Sequence, residues 1–112
     1  MRGAITTENT KEDIFRDTIY LIKEIFNNNA IDLTDVISII FSATKDLNSA
    51  YPAEALRYYG ITNVPMMCFQ EMDVNGSLKK CIRVMVLVDC DKEKMVKHVY
   101  LKDAKSLRPD IA

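Results

Sequence analysis

The chain is poor in the residues on which many familiar chemistries depend. It has three glycines in 112 residues, and they form no Gly-rich loop that could cradle phosphate on backbone N–H groups. It has one histidine, His98, which reads as a packed or partly exposed strand residue. No second cue sets it beside a serine or cysteine, so a nucleophile–base pair is not indicated. The three cysteines, Cys68, Cys81 and Cys90, are an odd number without Cys-x-x-Cys spacing. A full disulfide scheme is excluded, a reducing compartment is suited, and a zinc site lacks its usual ligand spacing. Each cysteine reads instead as a small buried hydrophobe. No apolar run is long enough to span a bilayer, and the opening Met-Arg-Gly-Ala-Ile-Thr-Thr-Glu lacks the apolar core of a signal peptide. A cytoplasmic protein is expected. Charge of neither sign dominates: 15 basic and 16 acidic residues leave a net charge of −1. That argues against a generally basic nucleic-acid binder, and the basic residues are not interleaved with aromatics as a stacking platform would require.

What is present describes a globular chain. It is 48% hydrophobic and 28% charged, and its length suits one domain spanning residues 1–112. A chain of this size buries roughly two-thirds of its unfolded surface without needing disulfides. Residues 1–6 read as a short extended opening. Thr10 with Asp13 resembles a capping box. Ile14, Phe15, Thr18, Ile19, Ile22, Ile25 and Phe26 then recur at helical spacing, and the Asn27-Asn28-Asn29 run is expected to end the helix. Val36–Ala43 is β-branched and nearly continuous in apolarity, which predicts a strand covered on both faces. Tyr51–Arg57 reads as a short helix with Pro52 in its first turn and Gly60 as its stop. Strands are expected over Val64–Met72, Cys81–Asp89 and Val96–Leu101, with Asn75-Gly76 as a turn and a helical turn in 104–112. The six methionines fall mostly in strands and read as core filler. The fold class is therefore α+β: a mixed sheet of about five strands with helices on one face. So small a sheet leaves a face or an edge uncovered, so a homo-oligomer is expected.

Charged residues inside apolar strands carry the functional signal. Arg83 lies within Cys81–Asp89 and cannot shed its proton, so burial would oblige it to face an anion. Glu71 ends the preceding strand. If the two strands pair as antiparallel neighbours across the turn, Cys68, Glu71 and Arg83 come together. A structural Glu–Arg ion pair at a sheet edge explains the same residues. Arg2, Arg57 and Arg108 each read singly as solvated surface charge. Together with Tyr100 and one carboxylate they suit a small polyanion with polar substituents.

The block Cys68-Phe69-Gln70-Glu71-Met72-Asp73-Val74, followed by Gly76-Ser77-Leu78-Lys79-Lys80-Cys81-Ile82-Arg83-Val84-Met85, resembles the centre of the monofunctional chorismate mutases of the trimeric pseudo-α/β-barrel class. Arg2-Gly3-Ala4, Ser42-Ala43-Thr44, Asp46-Leu47, Pro52-Ala53, Arg57, His98-Val99-Tyr100-Leu101 and Leu107-Arg108-Pro109-Asp110 extend the likeness over nearly the whole chain. The resemblance implies conversion of chorismate to prephenate, a [3,3] rearrangement in the route to phenylalanine and tyrosine. It also implies no cofactor or metal, and sites between the subunits of a homotrimer. By position, Arg83 matches the arginine that donates to the breaking ether oxygen, and Arg2 and Tyr100 match groups gripping the same carboxylate. Glu71 and Cys68 match the pair on the ring hydroxyl. Tyr51 stands where the family has a phenylalanine wall, while Arg57, Leu107 and Arg108 match the rim and the closing C-terminal segment. Two departures stand out: Glu54 replaces a lysine near the entrance, and the chain begins one residue before Arg2, so that its strand is expected to fray. A Glu54–Arg57 pair would soften the first. The alternative function is a non-catalytic trimer that binds a small carboxylate metabolite in the same clefts.

Overall fold

The computed structural model describes residues 1–90 and 95–110. Helix α1 (Lys11–Asn29) begins where Thr10 leaves extended backbone and its hydroxyl accepts the Asp13 N–H at 3.0 Å. Its buried stripe is Ile14, Thr18, Leu21, Ile22 and Ile25, with two polar residues, Asp17 and Asn29, buried beside it. The asparagine run forms the helix's last turn, and the chain leaves at Ala30 in a left-handed conformation, φ 50°. Helix α2 (Pro52–Tyr59) has proline in its first turn and stops at Gly60, whose φ of 109° a side chain would oppose.

Five strands form one mixed sheet: β1 (Arg2–Thr6), β2 (Val36–Ala43), β3 (Met66–Gln70), β4 (Cys81–Val88) and β5 (Val99–Leu101). Their order across the sheet is β3-β2-β4-β1-β5. β4 runs antiparallel to both neighbours, β2 and β1, while β3 and β5 pair in parallel with β2 and β1. Residues 102–107 continue as a 3-10 turn. β3 is shorter than the 64–72 expected because Pro65, which has no N–H, precedes it, although its carbonyl still accepts the Ile39 N–H. The strand expected over 96–101 narrows to β5, and β4 ends one residue before Asp89.

The expected antiparallel pairing of β3 with β4 does not occur. The Asn75-Gly76 turn forms, with Ser77 N–H on the Val74 carbonyl, but the segment from 71 to 80 arches over the end of β2. β2's last groups are consumed on both sides: Ala43 O accepts the Glu71 N–H, and the Thr44 N–H donates to Cys81 O. β2 thus stands between the two strands and satisfies both.

The core lies between the helices and one sheet face. Ile5, Ile39, Phe41, Ile82, Val84 and Val86 meet Ile14, Leu21, Ile22, Ile25 and Leu56 there. Gly3 belongs to this contact, since a Cβ would lie 2.7 Å from the Val99 carbonyl oxygen and 2.8 Å from Ile25 Cδ1. β2 is not covered on both faces as its apolarity suggested: Ile39 and Phe41 are buried while Ile40 is exposed. On that second face Leu78, Ala104 and Leu107 pack over Ala4, Cys81 and Tyr100 at one end. Ile40, Met67, Phe69, Met85 and Leu87 remain exposed. The methionines correct the core-filler reading, since Met67, Met72, Met85 and Met95 are all exposed. The cysteines differ too: Cys81 is buried, Cys68 half-buried and Cys90 exposed. β1 is an inner strand with ladders on both sides, and Met1 adds bonds to Val86, so the backbone of Arg2 is not a frayed end. Among the described residues no helix is long and apolar enough to cross a membrane.

Candidate active site

Strand register builds one row of side chains across the whole sheet. Phe69 pairs with Ser42, Ser42 with Arg83, Arg83 with Ala4, and Ala4 with Tyr100. Partners in register share a face. Arg83 is therefore central, on the middle strand of the open face. Ala4 beside it is only a methyl group, which leaves space between the guanidinium and Tyr100. One pleat along, Arg2 sits opposite Met85 on the same face. A hollow of about 310 Å³ results, lined by Arg2, Ser42, Phe69, Glu71, Arg83 and Tyr100 among others.

Within it Arg83 Nη1 lies 3.3 Å from Glu71 Oε2, so the ion pair is real, with the arginine about half exposed. Ser42 Oγ donates to the same carboxylate oxygen at 2.8 Å, and the Met72 N–H donates to the other at 3.1 Å. Burial pushes the Glu71 carboxyl upward, but Ser42, the Met72 amide and Arg83 outweigh it and hold the group below the ordinary glutamate value. The carboxylate is ionised at neutral pH. An anchored negative charge thus stands beside a fixed positive one.

The C-terminal segment borders this hollow. Leu107 packs in the cluster around Tyr100, and Arg108, chelated by Asp110 at 3.0 and 3.1 Å, feels the Tyr100 oxygen. The Arg2 backbone N–H donates to His98 Nδ1 at 3.0 Å, so that nitrogen is unprotonated there. Burial first, then the positive charges of Arg2, the N-terminus and Arg108, lower the His98 value.

Cys68, Tyr51 and Arg57 are elsewhere. Cys68 pairs in register with the core residue Phe41 and so lies on the helix face of β3, away from Glu71 and Arg83. This corrects the expectation that those three side chains meet. Strand side chains alternate faces, so the odd spacing of Cys68 and Glu71 already set them on opposite sides of the sheet. Burial raises the Cys68 thiol, against the Ala53 backbone N–H and the charge of Arg57. A reactive thiolate is not what this position favours. Tyr51, 67% exposed, heads α2 beside it, and the two line a second hollow of about 530 Å³ with Pro52, Glu54, Phe69 and Gln70. Among the described residues no ion pair joins Glu54 to Arg57. Glu54 lines that hollow, as does Lys45.

Two members of the row, Ser42 and Phe69, were not singled out from the sequence. A hydroxyl inside the apolar run Val36–Ala43 was the available signal for Ser42. Among the described residues no cluster of His, Cys, Asp and Glu is arranged to hold a metal ion.

Comparison with known proteins follows the same lines. The family model described as "Chorismate mutase type I" matches residues 1–111. The chain is 44% identical over 115 residues to chorismate mutase AroH of Bacillus subtilis (strain 168), covering 100% of this chain and 91% of that protein. It is 42% identical over 114 residues to chorismate mutase AroH of Thermus thermophilus, with 99% and 93% covered. The solved chorismate mutase from Clostridium thermocellum superposes with a TM-score of 0.88 at 50% identity, over 95% of this chain and 96% of that one. An Arg83–Glu71 pair centred on the open face of this sheet, a family match over almost every residue and full-length relatives agree: the chain belongs to the type I chorismate mutases, and is an isomerase.

Proposed function

We propose that the chain converts chorismate to prephenate at sites shared between copies of a homotrimer, as one cytoplasmic domain spanning residues 1–112. The observation that carries the shared site is the division of the expected residues. Arg2, Glu71, Arg83, Tyr100, Leu107 and Arg108 border the open sheet face, whereas Tyr51, Arg57 and Cys68 lie at β3 and α2 on the other side. One chain cannot wrap both groups around one substrate. Two copies can, if the β3–α2 side of one subunit seats against the open face of the next. The exposed side chains of Ile40, Met67, Phe69, Met85 and Leu87 supply apolar surface for that contact.

The reaction is unimolecular: an ether C–O bond breaks as a C–C bond forms, with no proton or leaving group to manage. Catalysis then consists of holding the chain-like part of the substrate over the ring and matching the charge separation of the transition state. Arg83 donates to the ether oxygen as it gains negative charge, and this contact strengthens only in the transition state. Arg2 and Tyr100 hold the enolpyruvyl carboxylate. Glu71, kept ionised and aimed by Ser42 and the Met72 amide, binds the ring hydroxyl and faces the electron-poor ring. Cys68 contributes beside that hydroxyl from the neighbouring subunit, without acting as a nucleophile. Tyr51 walls the ring, while Arg57 and Arg108 meet the ring carboxylate with Leu107 closing over it.

Purified protein should accelerate the loss of chorismate ultraviolet absorbance far beyond buffer. Binding of chorismate with no acceleration would instead favour a carboxylate-binding trimer and sink the catalytic reading.

A further inference from the structure

β5 presents Tyr100, yet it is a three-residue strand at the edge of the sheet, paired on one side only. So short a strand is weakly held by its ladder alone. Two buried polar residues of α1 reach the chain immediately before and immediately after it. Asn29, 4% exposed, is bonded to both backbone groups of Lys97: its Nδ2 donates to the Lys97 carbonyl at 2.8 Å, and the Lys97 N–H donates to its Oδ1 at 2.7 Å. Its second N–H goes to Ile25 O at 2.8 Å, so the amide is pinned to its own helix. Asp17, 2% exposed, meets Lys102 Nζ at 2.8 Å, Thr7 Oγ1 at 2.6 Å and Arg16 Nη2 at 3.3 Å.

Lys102 is where the chain turns off β5, in a left-handed conformation with φ 53° that a lysine adopts only under constraint. Its side chain returns from that turn to Asp17. One residue on, the Asp103 N–H donates to Thr6 Oγ1 at 3.1 Å, fastening the start of the 3-10 turn to the end of β1. Downstream lie Leu107 and Arg108. Neither Asn29 nor Asp17 lines the open-face hollow.

We propose that Asn29 and Asp17 are positioning residues, a two-point clamp from α1 that fixes β5 and so sets the placement of Tyr100 and of the segment leading to Arg108. The catalytic half of this claim rests on the site reading above; the structural half does not. A buried amide or carboxylate left without its partner is a costly defect, so each end of the clamp is effectively all-or-none. The groups it places bind the substrate's carboxylates equally in ground and transition states, so their displacement acts on KM more than on kcat.

The test uses the full-length assembled protein with Asn29→Ala, Asp17→Asn and Lys102→Met, and Lys102→Arg as the conservative rescue. Lys102 is half exposed and Asp17 keeps Thr7 and Arg16 without it, so Lys102→Met is the milder lesion and keeps the test open where Asn29→Ala fails to fold. Hydrogen exchange should speed up at the amides of 99–101 while those of mid-α1 stay protected. KM should rise roughly two- to thirtyfold with kcat nearly constant, and Lys102→Arg should restore it. In a Tyr100→Phe background the same substitutions should have a smaller further effect, the remainder being carried by the segment leading to Arg108. Lower thermal stability with wild-type KM and unchanged exchange at β5 would overturn the clamp. Tyr100→Phe with wild-type kinetics would remove Tyr100 from the site and with it the catalytic half, while the exchange result still decides the structural half.

Discussion

At the scale of single residues, Arg83 and Glu71 show how one geometry admits two descriptions. Their 3.3 Å contact is an ion pair on a sheet surface, and such exposed pairs add little to stability. Stability does not explain why Ser42 Oγ and the Met72 N–H also converge on the same carboxylate. Three donors on a half-buried carboxylate fix its charge and its direction, as the proposed contact with the substrate requires. Arg83→Ala should therefore leave the melting temperature within a degree or two and lower kcat by about 10²-fold or more, as when one preorganised donor is removed from a developing oxyanion. A steady-state comparison decides it: unchanged turnover would remove the mechanism. Glu54 is the opposite case, a carboxylate facing a hollow that is expected to receive a dianion. On the proposed function its charge should weaken attraction without touching the chemical step.

At the scale of elements, α1 does more than cover the sheet. Its apolar stripe packs the core while Asp17 and Asn29, buried beside it, bond to Lys102 and Lys97 on either side of β5. Burial pushes the Asp17 carboxyl up, but Lys102, Thr7 and Arg16 outweigh it and hold the group below the ordinary aspartate value. A carboxyl lowered on folding adds stability that is complete above its unfolded value, near pH 4, and is lost as pH falls through the folded value. Melting temperatures of wild type and Asp17→Asn should accordingly differ most at neutral pH and converge as pH falls through the lowered folded-state value. A gap that persists undiminished in acid would mean that packing, and not charge, is what Asp17 supplies.

At the scale of the whole molecule, the open face and the β3–α2 side carry two separate hollows on one chain, and the proposed shared site rests on their separation. A ring of three has the rotational closure such a heterologous contact needs. Mixing settles it. Arg83→Ala and Arg57→Ala proteins should each be impaired. Refolded together, they should regain activity, because some junctions then join the intact open face of one chain to the intact Arg57 of another. Sedimentation should report a trimer throughout. No regain on mixing, or a fully active monomer, would place the whole site within one chain.

The sequence by itself determined most of the elements and the family. Helical periodicity from Ile14 to Phe26, the β-branched runs, Pro52 and Gly60 act within a few residues of where they stand, so their outcome was legible. The long block around Cys68–Met85 named the family. Tertiary structure alone decided which strands meet and which face each side chain takes. Asn75-Gly76 does make its turn, but pairing of β3 and β4 lost to the insertion of β2, whose end bonds satisfied both flanking segments. Cys68 went to the helix face because register is set by partners far away in the chain, and a single step inverts it. Asp17, between Arg16 and Thr18 in sequence, gained its long-range partner only once Lys102 came back to it from 85 positions away. Local chemistry chooses the pieces; non-local hydrogen bonding and burial decide which of them share a surface.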